Sequence, residues 1–316
     1  MNTKKLITAT AAALGAIAGT ATALYAVGSR LFFSLAFERK PLIKMGGGVD
    51  PESYGEMVKK GQEWLHENDS DVRERLASDG TQLYCHYFPA ANAKCTLIEF
   101  HGWRGAWDLD FSASSPYLNR MGYNLLLVEQ RGQGRCGGSC MTFGLQERFD
   151  VKEWVEWYRE NYDAQIPIIL AGVSMGATTV LMASCQEFPP QVKGILADCG
   201  FNSPYDIIKH VGKSNYHMPE HPACDTMNLF LRLKTGLGLK DFTAAEAVAQ
   251  AKLPILFIHG SKDTFVPPAM SEEIYEACAS RKKRWLAEGA VHANSFVIQK
   301  DEYIRIVEEF FAEELD

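Results

Sequence analysis

At 316 residues, with 47% hydrophobic residues, the chain is long enough for one large α/β domain or two small ones and has the composition of a globular protein with a full core. Its 32 Lys and Arg against 39 Asp and Glu give a net charge of −7. No long basic block interrupts the soluble part, which excludes nucleic acid as an expected partner.

The N-terminus departs from that average. Lys4 and Lys5 precede an uncharged stretch from Leu6 to Ser29, and a further apolar run follows Arg30, from Leu31 to Phe37. An uncharged stretch above about 18 residues can span a bilayer as a helix. A basic start and an apolar centre also suit a signal peptide, with Ala21-Thr-Ala23 as its cleavage site. Residues 1–37 are therefore expected to be an uncleaved single-pass membrane anchor, with secretion after signal cleavage as the alternative. Lys4 and Lys5 argue for an inside N-terminus, while Arg30, Arg39, Lys40 and Lys44 argue against it. Residues 38–74 follow as a linker around Gly46-Gly-Gly48 and an amphipathic helix over Pro51–Asn68.

From residue 75 to 316 strands and helices alternate. Strands are predicted over Thr81–Phe88, Cys95–Phe100, Tyr123–Glu129, Ile166–Val173, Val192–Cys199, Leu253–His259 and Arg284–Glu288. Helices are predicted over Asp108–Met121 and Leu145–Tyr162, after Ser174, and within Thr264–Ala279 and Asp301–Leu315. That alternation implies βαβ units and a parallel sheet. The stretch from about 200 to 251 is far longer than one crossover needs, and reads as a crossover helix plus a small cap over the strand ends.

The predicted strand at Ile166 ends in Gly172-Val-Ser174-Met-Gly176. Glycines flank the serine where a strand must turn sharply into a helix, the arrangement of a nucleophile elbow. A serine hydroxyl needs a base, and the base an orienting acid; in an elbow enzyme both follow the serine in the chain. Asp263 lies beyond Leu253–His259, and His292 follows the last predicted strand, so order and spacing fit Ser174, Asp263 and His292. Asp198 is the rival acid. His259 reads as a backbone-capping residue, and Ser139 lacks elbow context. His101-Gly102-Trp103 ends an early strand, where backbone amides can turn toward a developing oxyanion. The backbone N–H groups of Trp103 and Met175 are the expected donors.

Two patterns mislead. His217-Met-Pro-Glu220-His221 matches a zinc motif that requires a helix, and Pro219 and Pro222 make a regular helix there improbable. Gln130-Arg-Gly-Gln-Gly-Arg-Cys-Gly-Gly138 follows a strand like a phosphate-binding turn but lacks G-x-G-x-x-G, and the next helix should begin only later, so a structural turn is expected. Eight cysteines contain no CxxC pair, so no metal is expected. Cys136 and Cys140 are the favoured disulfide partners if the chain is exported, while Cys185 and Cys199 read as small buried hydrophobes.

Taken in order, the His101-Gly strand end, Arg131-Gly-Gln-Gly134, Gly172-Val-Ser174-Met-Gly176, His259-Gly-Ser-Lys-Asp263 with Val266-Pro267, and His292 resemble the α/β-hydrolase superfamily over roughly Arg75 to Asp316. The segment Asp198 to Asp206 looks like bacterial esterase and peptidase-like members related to the prolyl-oligopeptidase group. The resemblance implies an α/β-hydrolase fold with a mostly parallel eight-stranded sheet, a Ser174–His292–Asp263 triad and no cofactor. Glu129 stands where many relatives have aspartate, and Val291 and Ala293 flank the histidine where glycine is common. The expected activity is hydrolysis of a small-molecule carboxylic ester through an acyl-enzyme. Peptidase, amidase or thioesterase activity with the same triad is the alternative, and a non-catalytic membrane-tethered binding protein a third.

Overall fold

The computed structural model describes residues 25–39, 51–68, 72–162 and 164–315. Residues 1–24, most of the expected anchor or signal segment, and the Gly46–Gly48 linker lie outside them. Among the described residues no helix is long and apolar enough to cross a membrane.

Eight strands form one sheet: β1 (Val72–Leu76), β2 (Gln82–Phe88), β3 (Cys95–Phe100), β4 (Tyr123–Glu129), β5 (Ile168–Val173), β6 (Val192–Asp198), β7 (Ile255–Gly260) and β8 (Lys282–Ala287). Their order is β1-β2-β4-β3-β5-β6-β7-β8. The β1–β2 and β2–β4 pairs are antiparallel and the remaining five are parallel.

The continuous apolar runs of the central strands are explained by burial on both faces, as parallel sheets require. Side chains alternate between two cores. Ile98, Phe100, Leu126, Val128, Ile168 and Leu170 face one; Leu97, Leu125, Leu127, Ile169, Ala171 and Val173 face the other. The first core is closed by α4 (Glu147–Asn161), α5 (Met175–Ala183), α8 (Ala244–Val248) and α9 (Pro268–Ala277). The second is closed by α2 (Pro51–Asn68), α3 (Ser115–Arg120) and α11 (Lys300–Leu315), through Leu65, Leu118, Ile306 and Phe310. Each such Leu, Ile or Phe, removed from water, contributes about 2 kcal/mol.

Three departures from the sequence reading have physical causes. The helix expected over Asp108–Met121 is confined to α3. Before it the chain turns, and Ser112, Ser114 and Ser115 donate their hydroxyls to the carbonyls of Leu109 and Phe111, competing with helical bonding. The strand β1 (Val-Arg-Glu-Arg-Leu) has no apolar alternation. It is an edge strand whose Arg75 is held by Glu153 and Glu160 of α4, at 2.7 and 3.0 Å. Cys136 and Cys140, the pair favoured for a disulfide if the chain is exported, are free thiols, as are the other six cysteines. Cys136 instead donates to the carbonyl of Glu129 at 2.8 Å and accepts from the Tyr84 amide.

Residues 25–37, assigned from sequence to the anchor or signal segment, form a helix here called α1. It packs on the main domain. Phe33 and Phe37 join the first core, with Phe37 against Phe143 at 5.1 Å and Phe33 against Phe230 at 5.6 Å between ring centroids. Between β6 and β7 run α6 (Pro204–Tyr216) and α7 (Glu220–Thr235), in the stretch expected to form a cap. The two are separate helices. His217 ends α6 in the left-handed conformation (φ 52°) and His221 is non-helical, so His217 and His221 do not share a helical face.

Candidate active site

Parallel strands end on one edge, and their register brings the expected residues there. Phe100 pairs with Gly172 and Val173 with Asp198, so the loop after β3, the elbow after β5 and the end of β6 are neighbours. Ser174 adopts φ 55° and ψ −117°, a strained conformation for a residue with a side chain. Its amide donates to the carbonyl of Asp198 at 2.8 Å, which fixes the turn to the adjacent strand. Both flanking glycines are sterically required. A Cβ on Gly172 would run into the backbone of Gly176, and one on Gly176 into the carbonyl of Phe100. Ser174 thus sits buried at the N-terminus of α5, with its helix dipole beneath.

The structure brings Ser174, His292 and Asp263 together. His292 Nε2 lies 2.9 Å from Ser174 Oγ, and His292 Nδ1 lies 2.7 Å from Asp263 Oδ2. The carboxylate accepts at Nδ1, so that nitrogen carries the proton and Nε2 is free to accept the serine proton. Asp263 Oδ1 also accepts the amides of Phe265 and Val266, each at 2.9 Å. Burial alone would raise its pKa. Hydrogen bonds from His259, His292 and the Val266 amide outweigh burial and hold the carboxyl at about 2.

The rivals fall into supporting places. Asp198 accepts from Ser295 Oγ at 3.1 Å, and burial pushes its carboxyl up to about 6. His259 bonds the carbonyl of Val266 at 2.8 Å through Nε2, the capping role expected of it, and the same atom lies 3.3 Å from Asp263 Oδ2. His101 accepts the Gln130 amide at Nε2 and donates from Nδ1 to the carbonyl of Gly102, so it braces its own loop.

Trp103 lies beside Ser174 in the same slot, and Met175 follows the serine as the first residue of α5. The loop between His101 and Gly105 is shaped by Asp110, which no sequence motif marks, and by Gln130 and Gln133 of the glycine-rich turn after β4. Asp110 Oδ2 takes the Gly102 amide at 2.6 Å, Gln133 Oε1 takes the Arg104 amide at 2.7 Å, and the Gln130 side-chain amide donates to the carbonyl of His101. The Gln130–Gly134 turn is structural, as expected. Its Arg131 is paired with Asp150 and, at 2.8 Å, with Asp79. Glu129 meets His86 at 3.1 Å and the Arg135 amide at 2.5 Å. Asp110 carries no motif of its own; only a turn-forming Asp within reach of His101-Gly102 could have pointed to it.

Above Ser174 the slot is apolar. Phe143, Phe201, Ile207, Ile208, Val211 and Phe265 contribute to it, and among the described residues that line it none carries a carboxylate or an ammonium. The donor atoms of Cys199, Asp263 and His292 fall within 4.8 Å of one another, close enough for a metal. They make a poor ligand set. Burial pushes the Cys199 thiol well above its ordinary range, and a thiol must lose its proton to bind a metal. Asp263 Oδ1 is already taken by two amides.

The family model described as X-Pro dipeptidyl-peptidase (S15 family) matches residues 50–220, and one described as serine aminopeptidase, S33, matches residues 213–296. The first match contains Ser174, the second Asp263 and His292. An uncharacterized Bacillus subtilis protein, YqkD, is 26% identical over 190 residues, which are 60% of this chain and 62% of that protein. Among solved structures, the Pyrococcus furiosus esterase Pf2001 superposes with a TM-score of 0.66 at 21% identity, covering 87% of this chain and 97% of its own. Est1E of Butyrivibrio proteoclasticus, with ferulic acid bound, gives 0.59 at 19% identity over 77% and 99%.

Proposed function

The chain belongs to the family described as X-Pro dipeptidyl-peptidase (S15 family), within the α/β-hydrolase superfamily, and from that premise we propose that it is a serine hydrolase cleaving carboxylic esters of small molecules. Ser174 Oγ attacks the acyl carbonyl as His292 Nε2 takes its proton. Asp263 holds the imidazole tautomer and stabilises its charged form. The backbone amides of Trp103 and Met175 receive the oxyanion; with the Gly102 amide held by Asp110, the Trp103 amide is the next in line on that loop. The alcohol leaves with the proton from His292. Water, activated by the same imidazole, then releases the acid. The observation that carries this reading is the Ser174–His292–Asp263 hydrogen-bond chain at 2.9 and 2.7 Å on a strained elbow.

A second reading, cleavage of dipeptides from an amino terminus, is favoured by the family description. That activity must hold a free ammonium, and among the described residues that line the slot above Ser174 none carries a carboxylate. The apolar lining suits an uncharged acyl group, and the structural likeness includes an esterase. The two readings separate when p-nitrophenyl butyrate and alanyl-prolyl-p-nitroanilide are offered to the full-length protein. Turnover of the ester alone supports the proposal; preferential turnover of the anilide would replace it. We also propose that residues 1–24, uncharged from Leu6 onward, tether the enzyme to a membrane. Release of the protein by alkaline carbonate washing would contradict that tether.

A further inference from the structure

Helix α1 precedes the whole sheet in the chain, yet it reaches the nucleophile. Phe32 and Ala36 line the slot over Ser174, facing Ile207, Ile208 and Val211 of α6. Phe32 is itself buried, with its ring against Tyr216 at 5.4 Å. The slot is narrow, about 30 Å³.

We propose that Phe32 is the residue that sets acyl-chain length, as the roof of an acyl pocket for short uncharged acyl groups, and that α1 is a fixed wall of this pocket. The inference rests on the ester-hydrolase reading and specifies its substrate. The slot is the acyl side of the site because its walls are apolar, with Phe32 of α1 facing α6 across it. The His292 side chain keeps 17% of its surface exposed, so the leaving alcohol and the incoming water have their path on that side.

The fixed position follows from the C-terminus of α1. The last carbonyls of a helix have no partner within it and need one elsewhere. Here the main domain supplies most of them. Arg104 donates to the carbonyls of Leu35 (2.7 Å) and Glu38 (2.9 Å), Trp103 Nε1 to that of Ala36 (2.7 Å), and the Met141 amide to that of Phe37 (2.8 Å). The Glu38 carboxylate is held by Lys234 of α7 at 2.7 Å and by Arg30 at 2.9 Å. A swinging lid would have to give up all of these at once. Cleavage after Ala23 would leave α1 in place, so the inference holds for an anchored and for a cleaved chain alike.

The test is a chain-length series on the full-length protein: kcat/KM for p-nitrophenyl acetate, butyrate and octanoate, in wild type, Phe32→Ala and Phe32→Trp. Wild type should favour the short esters over octanoate by about tenfold or more. Phe32→Ala should raise the octanoate-to-acetate ratio by about tenfold or more, and Phe32→Trp should lower the butyrate-to-acetate ratio. If Phe32→Ala does not fold, Phe32→Leu should give a smaller shift in the same direction. Ratios within about twofold of wild type in every folded variant would overturn the assignment of Phe32. Labelling of wild type by a small fluorophosphonate keeps the two levels apart. A labelled, ester-cleaving enzyme with unmoved ratios loses only this inference, whereas an unlabelled and inactive wild type overturns the ester reading and this inference with it.

Discussion

The two sides of Ser174 are built in different ways. On the acid–base side, the groups that place Asp263 come from its own neighbourhood in the chain: the amides of Phe265 and Val266 just after it and His259 just before it. His292 alone comes from further away. On the side proposed to receive the oxyanion, the loop from His101 to Gly105 is held by Asp110, by Gln130 and Gln133 beyond β4, and by the carbonyls at the end of α1. One half is a local turn motif that carries its own restraints. The other is a composite in which remote segments meet, so it is open to tuning, and to damage, from substitutions that touch no substrate.

That contrast can be broken or sharpened by substitution. The largest effect is expected from His292→Ala, which removes the proposed base and should lower kcat for a p-nitrophenyl ester by about a millionfold. Asp263→Asn keeps the shape but favours the wrong imidazole tautomer, and a fall in kcat of about 10⁴ should follow. On the oxyanion side Asp110→Ala frees the Gly102 amide, and a loop displaced by about 1 Å should lose about a hundredfold in kcat. Arg104→Ala removes the guanidinium bonds from the loop to the end of α1 and leaves that of Trp103; kcat should fall about tenfold with KM nearly unchanged, as for an interaction made in the transition state. Steady-state kinetics with one short ester read all four. If Asp110→Ala and Arg104→Ala both leave kcat at the wild-type value, the composite account of the oxyanion side is wrong.

The two sides also differ in the sign of their pH dependence. The Asp263 carboxyl is held at about 2 in the fold, below its ordinary 3.8. A depressed carboxyl stabilises the fold above the unfolded value and loses that contribution as pH falls from about 4 to about 2, here about 2 kcal/mol. Burial raises the Asp110 carboxyl, so its contribution runs the other way and improves as it takes up a proton. Urea denaturation at about pH 5 and about pH 2.5 should therefore show a smaller acid loss in Asp263→Asn than in wild type, and a larger one in Asp110→Asn. Equal losses in all three would remove the distinction.

Legibility in the sequence follows the same division. The limits of β3 and β4 are as predicted, because burial on both faces leaves a mostly apolar run, broken only by Thr96 and Glu99 in β3 and by Asn124 and Glu129 in β4. Ser174 and Asp263 each follow a strand buried on both faces, whereas His292 follows the partly exposed β8 and is reached from chain order. The edge strand β1 is hidden because it has no apolar alternation and its Arg75 finds its partners on α4, which no local pattern reveals. Helix α1 was misplaced for a different reason. Hydropathy reports that Leu31–Phe37 avoids water, and a bilayer and a protein core satisfy that equally. Asp110, Gln130 and Gln133 act across loops, and their roles exist only once the sheet has brought the strand ends together.

The central claim is that Ser174 is an activated nucleophile at the elbow. The most direct measurement is fluorophosphonate labelling of the full-length protein, with the modified peptide located by mass spectrometry in wild type and in Ser174→Ala. The account predicts one label per chain on Ser174, absent from the Ser174→Ala protein. A label that persists in that variant, or a folded wild type that takes none, would contradict it.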